Sequence, residues 1–219
     1  MDDTSKINDN IIRYSTTSIS DDTPVLDIKK YRHGFNHIHT ARLLCPQWWI
    51  NDFDKDPQAM MVDLPTKVTP QYLPSFLYDQ TLADANDPRA GLFMGHTCIW
   101  SFRAIYLGNG EHDATDLHST VKSKMSLCAV SAQMVVYAVI QAHFSLSSCG
   151  KWGEMSDDFD LERFSDKLIK IFTNSQKEEG DDWATDTLKY YTVEVLKPKP
   201  KDDDDESILD RQCQRRIKQ

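Results

Sequence analysis

The longest feature in the hydropathy pattern is the run from Leu127 to Leu146, LCAVSAQMVVYAVIQAHFSL, which has no charged side chain. At about 1.5 Å rise per residue it is long enough to cross a bilayer. Ser131, Gln133, Gln141 and His143 are expensive in hydrocarbon, however, and no lysine or arginine asymmetry beside the run marks a topology. The pattern therefore predicts a buried helix, apolar all round, that forms the centre on which other helices pack.

Three further stretches carry helical periodicity with readable punctuation. Asn86-Asp87-Pro88 sets a capping side chain before a first-turn proline, and Leu92, Ile99, Phe102 and Tyr106 then share one face until Gly108. Asp158 or Asp160 caps a second helix with the stripe Phe164, Leu168, Ile171 and Phe172. The third runs from Asp181-Asp182-Trp183 to Leu196, with Ala184, Leu188, Tyr191 and Val195 on one stripe and Lys197-Pro198 ending it. No segment sustains strand alternation. The expected fold is all-α, a single helical domain over residues 24–196 around one uncharged buried central helix.

Between Cys45 and Pro74 prolines recur in the dipeptides CP, DP, LP, TP and LP, each pushing its predecessor out of the helical region. A long ordered loop pinned by Trp48, Trp49 and Phe53 is the expectation there. Residues 1–23 are too polar to offset their ordering entropy and read as a disordered tail. Residues 197–219 read as a charged flexible tail, a KPKPK spacer followed by the acidic block Asp202 to Glu206 and the basic residues of Arg211 to Lys218.

Composition refines this picture. The 219 residues suit one domain with tails. The formal charge is −9, which repels phosphate backbones unless basic residues gather on one face, so nucleic-acid binding is disfavoured. Seven Lys or Arg against six Asp or Glu give the last segment +1, which leaves −10 for the rest and no hidden basic domain. The five cysteines, at 45, 98, 128, 149 and 213, form no CxxC pair and read as reduced thiols of a cytoplasmic or nuclear protein. The acidic start MDDTSKINDN is unlike a secretory leader.

The segments RHGF, LLCP, FLY, DP-x-x-GLF-x-GH and LS-x-x-x-x-W, in that order from residue 32 to residue 152, carry a resemblance. By their spacing the chain, from about Asp21 to Leu196, resembles an uncharacterised domain family multiplied in mushroom-forming fungi. That family brings no activity, cofactor or catalytic residue to carry over. The chain departs from the pattern in a shortened stretch before Lys30 and in Ser126-Leu127, where a Thr-Pro helix start is usual.

Two histidine clusters invite a metal reading. In RHGFNHIHTARLLCP, His33 and His37 would share a helical face and Cys45 could add a thiolate. Gly34 threatens that helix, His37 and His39 cannot share a face, and no glutamate intervenes, so a polar turn leading into a short helix is the better reading. Leu43, Leu44 and Cys45 are then buried and Pro46 ends the segment. Glu111, His112 and Asp113, with Asp116 and His118, have the residue types of a metal-dependent phosphohydrolase. They follow the turn Leu107-Gly108-Asn109-Gly110 and read as a polar loop. His96 reads as a core histidine with a hydrogen-bond partner. Trp48, Trp49, Trp100, Trp152, Trp183 and Tyr190-Tyr191 read as core and loop anchors rather than base-stacking platforms, since the body is acidic.

No glycine-rich phosphate loop, dinucleotide fingerprint or G-x-S-x-G elbow is present. No residue is assigned a catalytic, cofactor-binding or metal-binding role. The expectation is a non-catalytic intracellular module with a protein partner, no cofactor and no membrane. The alternatives are a metal-dependent hydrolase using His112 and Asp113 or the opening histidines, and a nucleic-acid-associated accessory of a mobile element.

Overall fold

The structure, a computed structural model, describes residues 29–106, 129–150 and 159–196. Among these residues there is no β-strand, only isolated bridges such as Pro46 to Pro74 and Tyr78 to Leu92. Seven α-helices among the described residues follow two 3-10 turns, Lys30–Arg32 and Gly34–Asn36. They are α1 (Ile38–Leu44), α2 (Ile50–Lys55), α3 (Pro57–Lys67), α4 (His96–Tyr106), α5 (Ala132–Leu146), α6 (Leu161–Lys177) and α7 (Trp183–Tyr190), the last continuing as a π turn over Tyr191–Val195.

The uncharged run gives α5, capped by Ser131, whose hydroxyl accepts the Met134 amide. Its last nine residues, Ala138 to Leu146, are all buried, as an all-round apolar helix must be. At 15 residues it is too short for a bilayer, and no helix among the described residues is long and apolar enough to cross one. Helices α4 and α6 pack on it, α7 packs on α6, and α1 touches it. Asp160 caps α6 through the Arg163 amide and turns Phe164, Leu168 and Phe172 into the core. Of the predicted stripe on α7, Ala184, Tyr191 and Val195 are buried and Leu188 is half-buried. The Tyr191 hydroxyl donates to the Phe93 carbonyl at 2.6 Å, which satisfies two buried polar groups at once.

Two expectations need correction. The helix predicted to start at Pro88 starts at His96, and the residues before it form turns. The Asp84 and Asp87 carboxylates accept the amides of Asn86 and Arg89 in local turns instead of capping a helix. Gly91 and Phe93 then take positive φ, 71° and 64°, which no helix tolerates. Gly95 lies so close to the Phe76 carbonyl that a Cβ would meet it at 2.2 Å.

The second correction concerns the proline-rich stretch. It holds a 3-10 turn, Gln47–Trp49, and the helices α2 and α3. Pro57 occupies the first turn of α3, where its missing N–H costs nothing, and Asp56 before it has non-helical dihedrals and accepts the Ala59 amide. Pro65 falls in the last turn, beside the fully buried Leu64. Under α1 to α3 lies a second small cluster, Ala41, Cys45, Ile50, Phe53, Leu64 and Val68, joined to the main core through Phe35 and Phe159.

Candidate functional site

The two turns that open the described chain lie on the end of the central helix. Gly34 has φ 66°, and a Cβ there would come within 3.1 Å of the Ser148 backbone nitrogen, so the turn needs glycine for both conformation and contact. From the first turn the Lys30 ammonium donates to the carbonyls of Phe144, Ser145 and Ser147, the last two at 3.0 and 2.6 Å, and sits 4.6 Å from the centre of the Phe144 ring. A helix C-terminus leaves such carbonyls unpaired and carries partial negative charge, so a cation is the matching cap. Burial pushes the Lys30 pKa down to about 8, against an opposing pull from Cys149. His33, buried, places Nδ1 3.3 Å from the same Ser145 carbonyl.

Inside α5, His143 is buried and stacked on Phe159, with ring centres 4.2 Å apart, and meets Phe76 and Phe164 at tilted angles. Its Nδ1 has no hydrogen-bond partner among the described residues. Burial first, and the Lys30 charge second, push its pKa down to about 3. At neutral pH it is a neutral ring serving as a core aromatic.

The His37 and His39 rings lie 5.3 Å apart, but the three opening histidines do not converge on one point. His33 binds the end of α5, while His37 precedes α1 and accepts the His39 amide on Nδ1 at 3.3 Å. The polar turn and short helix expected here are present. Among the described residues no group of three or more His, Cys, Asp or Glu side chains is placed to hold a metal. Cys45 is fully buried, and burial drives its thiol up to about 12, so it packs as a small apolar residue in the second cluster. Leu43 and Leu44 are buried as expected.

His96 differs from expectation. It is the exposed first residue of α4 and accepts a hydrogen bond from the Trp100 indole one turn on, so it has the partner but is not in the core. The late start of α4 is the cause. Glu111, His112, Asp113, Asp116 and His118 lie outside the described residues, as do Trp152 and residues 1–23 and 197–219.

Trp48, by its exposure, also departs from expectation. It was expected to pin a loop beside Trp49 and Phe53, and Phe53 is indeed 1% exposed. Trp49 is half-buried with its ring 4.8 Å from that of Tyr72. Trp48 instead stands 81% exposed. Its turn is tied down on the N-terminal side: the Gln47 amide donates to the Leu73 carbonyl at 2.9 Å, the Ser75 amide to the Cys45 carbonyl at 2.7 Å, and the Gln47 and Gln80 side chains bond to each other, while the Trp49 amide closes the turn on the Pro46 carbonyl at 2.9 Å. A Trp-Trp pair in sequence does not say which ring faces out; only the packing of Tyr72 and Ile50 decides it.

The family model for a family of unknown function, DUF6698, matches residues 1–196, and the chain belongs to that family. No curated protein and no solved structure matches it.

Proposed function

For a member of a family without an established activity, we propose a non-catalytic intracellular module that binds a protein partner, with Trp48 as its anchor. The observation that carries this reading is a large aromatic side chain, 81% exposed, on a turn held before it by the hydrogen bonds of Cys45 and Gln47 and after it by the packing of Trp49 on Tyr72. Tryptophan is enriched among the few residues that dominate binding energy, and a turn already fixed loses little further freedom when it docks. The only polar atom of the indole is a single N–H donor, so the ring suits a pocket on a protein better than a phosphate backbone.

The test is affinity capture of the tagged full chain from its own cells, with and without nuclease, beside Trp48→Ala. A nuclease-resistant protein that is captured by the native chain and lost with Trp48→Ala, at an unchanged melting temperature, is the expected result. Binding that disappears with nuclease would favour the mobile-element accessory, and turnover of a substrate library by the purified protein would overturn the non-catalytic reading.

A further inference from the structure

We propose that the surface made by Lys29, Tyr31 and Arg32 docks a short carboxylate-rich segment of the partner protein; this deepens the interaction-module reading and rests on it. Charge is unevenly distributed along the chain. From Ile28 through Asn51 there is no Asp or Glu, although the whole chain has 34. In that interval Lys29 and Arg32 are exposed and, among the described residues, take part in no ion pair. Arg42, Lys55, Lys67 and Arg89 are each paired with an aspartate, and Lys170 and Lys189, which like Lys29 are exposed and in no ion pair among the described residues, stand in stretches that carry acids, Asp166 and Asp186, within four positions.

The Arg32 guanidinium lies over the Tyr31 ring, 5.9 Å from its centre, and Tyr31 is 60% exposed. A guanidinium with one face toward an aromatic ring keeps its planar N–H edge for a carboxylate, and the ring offers apolar area beside it. The surface is also preorganised. The Arg32 amide donates to the Lys29 carbonyl at 2.8 Å and Asn36 Nδ2 to the Tyr31 carbonyl at 3.1 Å, while Lys30 fastens the same turn to the end of α5 and the next turn lies through Gly34 against Ser148. Single exposed ion pairs are weak, so the fitting ligand places several carboxylates and an apolar side chain together. A long polyanion would meet the net charge of −9 over the whole molecule, whereas a short acidic peptide feels mainly this local patch.

The probe is a dye-labelled acidic peptide of about ten residues with a central leucine, titrated by fluorescence anisotropy into the full chain at physiological salt, a span that covers this patch. A matched peptide with Gln and Asn in place of the acids, and a single-stranded oligonucleotide of equal charge, run beside it. The acidic peptide should bind, the neutral one should not, and Lys29→Glu with Arg32→Glu should weaken binding roughly tenfold. Lys170→Glu with Lys189→Glu, a reversal of equal charge on exposed positions of α6 and α7, should leave it nearly unchanged. Absence of peptide binding, an equal loss in the control pair, or preference for the oligonucleotide would overturn the proposal. So would recovery of the acidic peptide's binding only after Asp202 to Glu206 are neutralised, since the chain's own acids would then be the occupant. A captured partner that is insensitive to Lys29→Glu and Arg32→Glu but lost with Trp48→Ala overturns this proposal alone and leaves the module reading standing.

Discussion

The main core around α5 and the small cluster under α1 to α3 are built from the same kinds of side chain but closed in different ways. In the main core the aromatic rings lock separate elements together: Phe93, from the turns before α4, stacks on Phe172 at 4.8 Å and Phe102 meets Tyr191 edge-on at 5.0 Å. Its helices α5 and α6 run 15 and 17 residues. Helices α1, α2 and α3 have 7, 6 and 11 residues, below the length at which a helix is stable by itself. They are held by tertiary bonds such as Ser75 Oγ to the Arg42 carbonyl at 2.7 Å and the paired bonds of Arg42 to Asp54. In one region periodicity makes the helices; in the other, punctuation and outside contacts do.

The contrast can be pressed hardest with cavities. Phe164→Ala should cost about 3–5 kcal/mol and lower the melting temperature of the whole chain. Phe53→Ala should open α1 to α3 first, seen as lost hydrogen-exchange protection there while α5 and α6 keep theirs. Equal loss across both regions would break the comparison.

Acid should separate the regions in the opposite order. The folded-state pKa of His143 is near 3 against 6.5 for the free side chain. Below pH 6.5 the unfolded chain therefore binds a proton that the fold refuses. The stability this ring contributes is complete above that pH and falls as the pH drops toward 3, by on the order of 4 kcal/mol. The region of the small cluster has its own acid-sensitive group in His37, which accepts the His39 amide at the start of α1 and whose pKa burial also lowers. That ring is only half-buried, so exchange at pH 4 should rise first in α5 and less in the first turn of α1. His143→Leu should flatten the dependence, and an unchanged acid slope in that variant would sink the assignment.

Smaller effects sharpen the picture. Tyr191→Phe leaves the buried Phe93 carbonyl without its donor and should cost about 1–2 kcal/mol in urea denaturation. The caps give the finest comparison. Asp160→Ala and Asp56→Ala should each cost about 1 kcal/mol by urea titration. The effect of Asp56→Ala should be confined to α2 and α3, read by exchange of the Ala59 amide.

The sequence made the main core legible because its signals were redundant: an uncharged run, the Asp160 cap and aromatic stripes all pointed the same way. Of the short helices, α1 was expected, but the stretch holding α2 and α3 was misread because proline marks a helix start as well as a stop, and Pro57 and Pro65 do the first and survive the second. The late start of α4 had a visible cause in Gly91 and Gly95, but the tight approach of Gly95 to Phe76 is a long-range fact. The same holds for the sites. His33 and His37, whose spacing would suit one helical face, sit on separate turns with separate tasks, as the glycine between them argued. The exposed Trp48 and the cap by Lys30 depend on residues distant in sequence, which no local window contains.

The reach of Lys30 to Ser145 spans 115 positions of chain, and that separation sets an order of events. The end of α5 stays uncapped until both parts have been made and brought together, so the closure belongs late in folding. At about 5–20 residues per second of synthesis, the lysine waits roughly 6–23 s for its carbonyls to exist. During that interval the half-made chain carries an unpaired amine and an apolar segment still awaiting its centre, and this is when the protein most needs shelter from its neighbours.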